Sequence, residues 1–468
     1  MNDTHHPGIG VRMPKRRLVC LAAGTLMMSQ PMIAAAQLIE PGPLPGAYTA
    51  LQRPVANGIF RTCRNLIGGL GVKPVATGSP TERLANACSL MVHTARLANG
   101  LAGGNPSFDL RLSNTELATA IQAIAPVQAN AQKQISTEAL KMNAIGARLL
   151  NLRGGARGMV LAMNGQDIQT GGGAAADDVL GGPWGSFVNV TYNWGDVDKT
   201  ILQDAYKQDS YNVVAGADYR VGDTLVLGAA ISYGDTTAKY EQGLGRVKAK
   251  TTGVVGYGTY YVGSWYVDGL LSYGDTDFES RRNITIASRN PALPGIATAA
   301  TSSPKGDQWS ASIGAGKDFR SEKFTVTPSA RLSYIHVDNK AFAETEPVAG
   351  LGLSVDGRGI ESLQSSLGAR FSTTVNTAAG VLVPYASVQW VHEFKKDNPS
   401  LVSRYVNDPN GLAFAIPTAS PDSNYGVVAI GTSMTMPNNL SAFAQFSSAV
   451  GLKDENSYAF SAGLRIQF

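Results

Sequence analysis

The chain has 468 residues, of which 16% are charged, and its formal net charge at pH 7 is +4. Soluble domains carry about 25% charged residues, so the low share favours a protein whose apolar surface is partly covered by something other than water. The small net charge argues against a nucleic-acid partner, and the length favours more than one structural unit.

Residues 1–36 have the pattern of a secretory signal peptide. Three basic residues at 15–17 precede an apolar run over 18–28, and an Ala-Ala-Ala sequence ends at residue 36. Met13 is an alternative start to Met1. An anchor helix is the other interpretation of this segment, but the run is shorter than the roughly 20 residues that span a bilayer.

Cys63 and Cys88 are the cysteines that follow the signal peptide. In an exported chain such a pair indicates one disulfide, here predicted to staple two helices, with two unpaired buried thiols as the alternative. No run of 18 apolar residues follows the signal peptide. A membrane location would therefore require a closed β-barrel, because only helices and closed barrels satisfy their backbone hydrogen bonds in lipid.

Residues 37–128 predict a small helical domain. Apolar residues at helical spacing predict one helix that begins at a cap on Thr81 and is stopped by Gly100. A second helix is predicted to begin with a capping box, in which Ser113 precedes Glu116 by three residues.

Two further segments separate this domain from the rest of the chain. Residues 129–160 carry apolar residues at helical spacing and predict a linker helix, and the sequence GGGAAADD within 161–182 predicts a flexible link. The predicted division of the chain is 1–36, 37–128, 129–160, 161–182 and 183–468.

The last part of the chain alternates apolar and polar residues with period two, as β-strands do. The pattern predicts twelve strands, at 185–195, 208–221, 224–239, 248–262, 264–282, 307–320, 323–338, 361–376, 381–395, 424–436, 440–450 and 456–468. Short connections alternate with long ones, as they do in outer-membrane barrels. The predicted fold class is α plus membrane all-β: a small helical N-terminal domain, a linker helix and a 12-stranded antiparallel transmembrane β-barrel.

The alternation also assigns the two faces of each strand. In the third strand, Leu227, Ile231 and Tyr233 are predicted to face lipid, and Ala230 and Ser232 the lumen. In the last strand the lipid-facing set is predicted to be Tyr458, Phe460, Ala462, Leu464, Ile466 and Phe468. Arg465 and Gln467 are predicted to face the lumen.

Three segments carry a family resemblance: "PYASVQWVHEF" at 384–394, "VDGLLSYGDTDF" at 267–278, and the terminal "AGLRIQF". Together with the signal peptide and the order helical domain, linker, barrel, they resemble the monomeric autotransporters of type V secretion in Gram-negative bacteria. The resemblance implies a monomeric barrel in outer-membrane lipid that displays a passenger on the cell surface. The double-Asn junction at which some relatives cleave their passengers is missing here.

The resemblance also implies two sets of functional residues. The outer-membrane barrel-assembly machinery reads a C-terminal strand ending in Phe, and the matching positions here are Tyr458, Phe460, Leu464, Ile466 and Phe468. A helix at the end of the passenger threads the pore in this family. We hypothesise that arginines of this helix pair with carboxylates of the lumen. The arginines are Arg148, Arg153 and Arg157, and the carboxylates are Asp218, Asp268 and Glu393. The alternative is that all six side chains are solvated charges.

The helical passenger contains little that indicates catalysis. Ser89 and His93 lie four residues apart on one predicted helix, with Glu82 upstream, but no hydrolase, zinc-protease or cysteine-cluster motif is present. His336 and His392 fall in barrel strands near the rim, where polarity explains them. The sequence predicts no catalytic residue, no cofactor and no metal site.

Three functions remain open for this passenger. It could adhere to a host or neighbouring-cell ligand, it could be an enzyme, or it could be a plug without a separate effector. The passengers of most relatives resemble long β-helices, and this short helical domain departs from them. The sparse catalytic inventory favours an adhesion or interaction role over an enzyme.

Overall fold

The computed structural model describes residues 48–67, 77–125, 146, 160–163, 166–169, 183–437 and 439–468. The predicted signal peptide lies outside these residues, as do most of the predicted linker helix and the arginines at 148, 153 and 157. The segments Val160–Met163 and Gln166–Gln169 pair as a short antiparallel hairpin.

The described residues between 48 and 125 include three α-helices: α1 (Gln52–Ile67), α2 (Pro80–Ala98) and α3 (Asn114–Gln122). We call residues 48–67 and 77–125, which contain these helices, the helical cap. Within the described residues, no helix is both long enough and apolar enough to cross a bilayer.

The helix ends follow local capping rules, with one correction to the prediction. The capping box of α3 is confirmed, because the Ser113 side chain accepts from the Glu116 N–H and the Glu116 side chain accepts in return. The predicted Thr81 cap of α2 is wrong, since the N-cap is Ser79, which accepts from the Glu82 N–H. Pro80 fits the first helical position, where its missing N–H costs nothing, and this moves the cap two residues upstream.

Twelve antiparallel strands form a closed barrel, and all twelve predicted strands are present. They are β1 (Trp184–Val197), β2 (Tyr206–Val221), β3 (Leu225–Tyr240), β4 (Gly245–Val262), β5 (Trp265–Ile286), β6 (Lys305–Lys317), β7 (Thr325–Asn339), β8 (Arg358–Ser372), β9 (Gly380–Glu393), β10 (Asn424–Thr435), β11 (Leu440–Val450) and β12 (Glu455–Gln467). Each pairs with the next, and β12 pairs with β1, so no edge remains in the ring.

The predicted faces are confirmed by burial. On β3, Ile231 is 67% exposed and Leu227 50% exposed on the outside, whereas Val226 and Ala230 are buried inside. The outward side chains are apolar along the middle of the strands, as expected for a surface that meets lipid.

The connections differ at the two ends of the barrel. Residues 222–224 and 263–264 connect strands at one end, the short-turn end, where the chain terminus also lies. Residues 287–304, 340–357 and 394–423 are connections at the other end, which we call the long-loop end.

The long loops carry structure of their own. A four-stranded antiparallel sheet, which we call the loop sheet, consists of Phe342–Ala343, Leu353–Val355, Leu401–Tyr405 and Phe414–Ile416. A further strand, Ile296–Ser302, pairs with the far end of β5.

The helical cap and the long loops share one hydrophobic core. Val55, Ile59 and Met91 from the cap are fully buried in the same cluster as Leu351 and Leu353 from the loops. The sequence pattern alone would suggest that the cap and the barrel are separate bodies joined by a linker. The shared core shows instead that the cap packs directly on the loops of the barrel.

Candidate functional site at the long-loop end

Helix α1 packs directly on the loop sheet. A Cβ on Gly58 would lie 2.6 Å from the Phe414 ring, so only glycine permits this close approach. One turn further along, the Thr62 hydroxyl donates to the Asp408 carboxylate at 3.2 Å, and Thr62 is fully buried. The contact combines apolar packing with a buried hydrogen bond that fixes its register.

Helix α2 packs on the loop between β7 and β8. Gly350 has a φ of +73°, in the left-handed region, and a Cβ there would lie 2.7 Å from the Leu84 N and the Pro80 O. A side chain at position 350 would therefore both strain the backbone and separate the loop from the first turn of α2.

The loop between β5 and β6 binds the segment before α3. The Arg289 N–H donates to the Leu110 carbonyl at 2.9 Å, and the Arg289 guanidinium pairs with Glu116. Hydrogen bonds from the backbone and the hydroxyl of Ser113, with a smaller contribution from Arg289, lower the pKa of Glu116. The carboxylate that caps α3 thus also ties the helix to the barrel.

A buried ion pair between Arg282 and Glu344 joins the cap, the barrel and a loop. Both side chains are completely buried, and the Arg282 Nε donates to Glu344 Oε1 at 3.1 Å while its Nη2 donates to the other carboxylate oxygen. The same guanidinium donates to the carbonyls of Ala123 and Ile124 at 3.3 and 3.0 Å, just after α3. It also donates to the Leu351 carbonyl at 3.1 Å. A cation is well placed where a helix ends, because the carbonyls there lack helical partners.

Glu346 organises the loop that covers this pair. Its carboxylate accepts from the Thr298 hydroxyl and from the N–H groups of Val348, Ala349 and Leu351. Burial acts to raise the pKa of Glu346, but these hydrogen bonds outweigh it, so the pKa lies below the ordinary glutamate value. The ionised form is therefore the one that this loop conformation requires.

The predicted disulfide is present between α1 and α2. Cys63 and Cys88 are bonded, each is 1% exposed, and their Cα atoms are 5.1 Å apart. The bond lies in the shared core, so it stabilises the pair of helices that pack on the loops.

The candidate catalytic pair has structural partners. The Ser89 hydroxyl donates to the Ala85 carbonyl at 3.0 Å, one helical turn back. His93 Nδ1 accepts from the Asn105 N–H at 3.1 Å, and its ring stacks on Phe108. Partial burial lowers the pKa of His93. His93 thus supports the connection between α2 and the turn that follows, whereas the Ser89 bond stays within α2.

Metal binding has no candidate in the part of the chain that the structure describes. No group of three or more His, Cys, Asp or Glu side chains there has the geometry to hold an ion.

The predicted lumen carboxylates face the interior of the barrel, and each has partners on the barrel wall. Asp268 is paired with Arg331 at 3.3 Å. Asp218 lies 4.0 Å from Arg465 and accepts from the Tyr257 hydroxyl at 3.3 Å.

Glu393 is the third of these carboxylates. It accepts from the Ser362 hydroxyl at 2.5 Å, the Leu363 N–H at 2.9 Å and the Gln364 amide at 3.1 Å. The arginines predicted to pair with these carboxylates lie outside the described residues, so the pairing stays a prediction.

The residues of the predicted assembly signal line the outside of β12. Phe460, Leu464, Ile466 and Phe468 are each 47–64% exposed. The Phe468 N–H donates to the Trp184 carbonyl at 3.0 Å, which extends the pairing with β1 to the last residue.

Sequence reasoning missed the contact between the cap and the loops. Its main residues are Arg282, Glu344, Glu346, Gly58 and Phe414. The only signal in the sequence was the apolar character of short loop segments such as LGLSV, which periodicity alone does not assign to a strand or a contact.

Comparison with known proteins places the barrel in a family. The autotransporter beta-domain matches residues 186–447. Outer membrane protein A of Rickettsia conorii is 26% identical over 298 residues, which cover 62% of this chain and 14% of that protein. Lipase 1 of Photorhabdus luminescens is 25% identical over 260 residues, which cover 55% of this chain and 38% of that protein. The translocator domain of the autotransporter NalP from Neisseria meningitidis has a TM-score of 0.51 at 16% identity, covering 72% of this chain and 100% of that one.

The family match spans more than half of the chain, and the likeness to NalP independently supports the barrel fold. In outer-membrane barrels the short turns are periplasmic and the longer loops extracellular, so the long-loop end with its helical cap is the outer end. The chain belongs to the autotransporter beta-domain family and lies in the Gram-negative outer membrane, with its passenger exposed at the cell surface.

Proposed function

We propose that the barrel translocates the helical cap, and that the cap stays docked on the outer loops as a small surface module for adhesion or cell interaction. The observation that carries this proposal is the shared core of cap and loops, with the buried Arg282–Glu344 pair at its centre. A passenger intended for release would leave these apolar loop residues exposed to water, which costs about 25 cal/mol for each Å².

Surface labelling of intact cells tests display and retention together. Gln52 is only 7% exposed, so an epitope there would be hidden, whereas Gly78 lies in an exposed turn before α2. We expect an antibody to an epitope inserted at Gly78 to label intact cells. The labelled species should have the mass of the chain without its signal peptide, and a urea wash below the unfolding concentration should leave it on the cells.

Two results would contradict the proposal. A labelled fragment in the medium would mean that the passenger is released. Labelling that requires permeabilised cells would mean that the cap is not displayed, provided that an epitope in the exposed turn at Gly451 between β11 and β12 labels intact cells in a parallel strain.

Adhesion is the second part of the proposal and needs its own measurement. We expect cells that carry the chain to attach to host-cell monolayers or to each other more than cells without it. Fab fragments against the Gly78 epitope should reduce this attachment, whereas Fab fragments against the Gly451 epitope should not. Attachment equal to that of cells without the chain would reject the adhesion role.

An enzymatic passenger is the alternative that we disfavour. Lipase 1 is a relative named as a lipase, but Ser89 and His93 in this chain are engaged with Ala85 and Asn105 rather than with each other. We expect Ser89→Ala to leave any ester hydrolysis by whole cells unchanged. A loss of hydrolysis in this variant would support the enzyme instead.

We also propose that the segment between the cap and β1 threads the barrel as the pore helix. The cap ends at the outer end and β1 begins at the short-turn end. Gly146, in a helical conformation, lies beside the lumen side chain Arg331, since a Cβ built on this glycine would be 4.0 Å from the guanidinium Nη2. Single-channel conductance of Arg148→Ala and Arg153→Ala tests the predicted pairing with lumen carboxylates, and an unchanged low conductance would reject it.

The final proposal concerns assembly. The exposed apolar residues on β12, ending with Phe468, have the alternation that the barrel-assembly machinery reads in this family. We therefore propose that machinery as the partner of the C-terminal strand during insertion.

A further inference from the structure

Four basic side chains form a row across the outer ends of four neighbouring strands. Lys207 on β2 lies directly opposite Lys239 on β3, Lys239 opposite Arg246 on β4, and Arg246 opposite Arg281 on β5. All four are exposed and point to the outside of the barrel, as the alternation of each strand requires. We call these residues the basic row.

The basic row is unfavourable in the protein by itself. Side chains directly opposite each other on neighbouring strands have Cβ atoms about 5 Å apart, and like charges in such pairs are destabilising. None of the ion pairs between described residues involves any of the four. The Arg281 Nε donates to the neutral Asn283 side chain at 3.2 Å, which does not offset its charge.

The acidic side chains nearby are arranged differently. Asp196 on β1 lies opposite Lys207, at one end of the row. The other three cations, on β3, β4 and β5, do not lie opposite Asp196. Closer to the membrane, outward acidic and basic residues lie opposite each other: Glu279 faces Lys248, and Asp235 faces Lys250. Asp277 pairs with Lys305 at 3.4 Å, while Asp209 and Asp275 accept hydrogen bonds from the Tyr192 and Tyr273 hydroxyls. At the level of the row itself, four cations therefore accompany a single carboxylate, that of Asp196.

The height of the row above the membrane limits its partners. Tyr233 on β3 is 45% exposed and belongs to the aromatic girdle at the outer interface. Lys239 lies six residues further along the same strand, or roughly 15 Å along the barrel axis for a strand that rises about 3.3 Å per residue and is tilted about 40°. In the outer leaflet, this level lies above the lipid phosphates and within the anionic sugars attached to them.

We propose that the basic row binds the inner-core saccharide of lipopolysaccharide, through its phosphate and sugar-acid carboxylate groups. The nearest dense polyanion to this face is the lipid that surrounds the barrel, and clusters of Lys and Arg at a membrane surface are attracted to anionic lipid. The proposal rests on the outer-membrane location and is independent of the passenger's function. On this proposal, lipopolysaccharide molecules stay bound along the β2–β5 side of the barrel, and their negative groups screen the positive charge of the basic row.

The test uses the full-length protein in phosphatidylcholine nanodiscs. Binding is measured for rough lipopolysaccharide that carries the inner core and for lipid A without it. The outer triple variant combines Lys239→Gln, Arg246→Gln and Arg281→Gln. The control variant removes the same number of positive charges at the short-turn end, through Lys317→Gln, Arg320→Gln and Lys323→Gln. Heat-modifiable electrophoretic migration checks that each barrel is folded.

We expect the outer triple variant to bind inner-core lipopolysaccharide at least about tenfold more weakly, while the control and the wild type bind equally and all three bind lipid A alike. Equal binding of inner-core lipopolysaccharide by the outer variant would overturn the proposal. A wild type that binds lipid A as tightly as the inner-core form would also overturn it. Tight binding of a soluble sulfated glycan without binding of the lipopolysaccharide would assign the row to a host polyanion instead.

Discussion

Arg281 and Arg282 are adjacent in the sequence and have opposite environments. Successive side chains of a strand point to opposite faces, so Arg281 is exposed outside the barrel while Arg282 is fully buried beneath the cap. The sequence predicts this alternation but not the burial of Arg282, because the partner that buries it, Glu344, belongs to a long loop. Chain neighbours can therefore have separate roles, one in holding the cap and one in our proposed lipid contact.

Arg282→Ala is expected to release the cap from the loops. Removing one member of a buried ion pair leaves the other charge uncompensated and costs about 3–5 kcal/mol, and three backbone carbonyls lose their donor as well. Because Cys63 and Cys88 are each 1% exposed, the rate at which a phosphine reductant opens their disulfide reports cap opening. We expect this rate to rise at least about a hundredfold.

The neighbouring arginine supplies the control for this prediction. Arg281→Ala removes a side chain of the same type from the opposite face of β5. It should change the free energy of cap opening by no more than about 0.5 kcal/mol. The double variant Arg282→Met with Glu344→Met should be less destabilised than either single change, since no buried charge remains. Equal reduction rates in Arg282→Ala and Arg281→Ala would contradict the assigned role of the pair.

Acid is expected to loosen the same region through Glu346. Its pKa in the folded protein is lowered, so its ionised form contributes stability above the unfolded pKa of about 4.3. That contribution declines as pH falls below this value and is lost as pH passes through the lower folded pKa. We expect disulfide reduction by the phosphine to accelerate below about pH 4.3.

Glu346→Gln isolates this effect from general acid unfolding. The variant should open faster than the wild type at neutral pH, and its opening rate should depend less on pH between 3 and 5, a range of about one unit on either side of the usual value. An unchanged pH profile in the variant would mean that other carboxylates control the loop.

The secondary-structure elements divide into those that the sequence reveals and those that it does not. Strand alternation predicted all twelve barrel strands to within a few residues, because one face meets lipid and the other the lumen along the membrane-spanning part of each strand. Helix α3 was predicted from its capping box at Ser113 and Glu116. Helix α1 was predicted only as the helix that carries Cys63, without bounds. The loop sheet was not predicted, since its apolar residues become informative only when the cap and the loops are brought together.

Gly58→Leu is expected to separate α1 from the loop sheet. The side chain would meet the Phe414 ring, because even a Cβ at this position would be 2.6 Å away. Forcing extra volume into such a contact costs about 1–3 kcal/mol. Disulfide reduction should accelerate accordingly, whereas Asn65→Leu on the exposed face of the same helix should leave the rate near that of the wild type.

At the scale of the whole molecule, the barrel is closed by the pairing of β12 with β1, and the terminal residue takes part in it. Deleting Phe468 removes its hydrogen bond to Trp184 and the last outward apolar side chain. We expect a reduced fraction of heat-modifiable, folded barrel in outer-membrane extracts. Phe460→Ala, which removes an aromatic side chain from the same face of β12, should assemble better than the deletion. Normal assembly of the deletion would reject the terminal residue as an assembly signal.

The shared core of cap and loops also has an evolutionary consequence. Recombination that joined this barrel to a different N-terminal domain would leave Leu351, Leu353, Tyr405 and Phe414, all now buried, facing water on the cell surface. Such a hybrid would gain a new effector and an aggregation-prone patch at once. The cap and the loops are therefore expected to be inherited together, and substitutions at Gly58 and Phe414, or at Arg282 and Glu344, should be correlated among descendants of this chain.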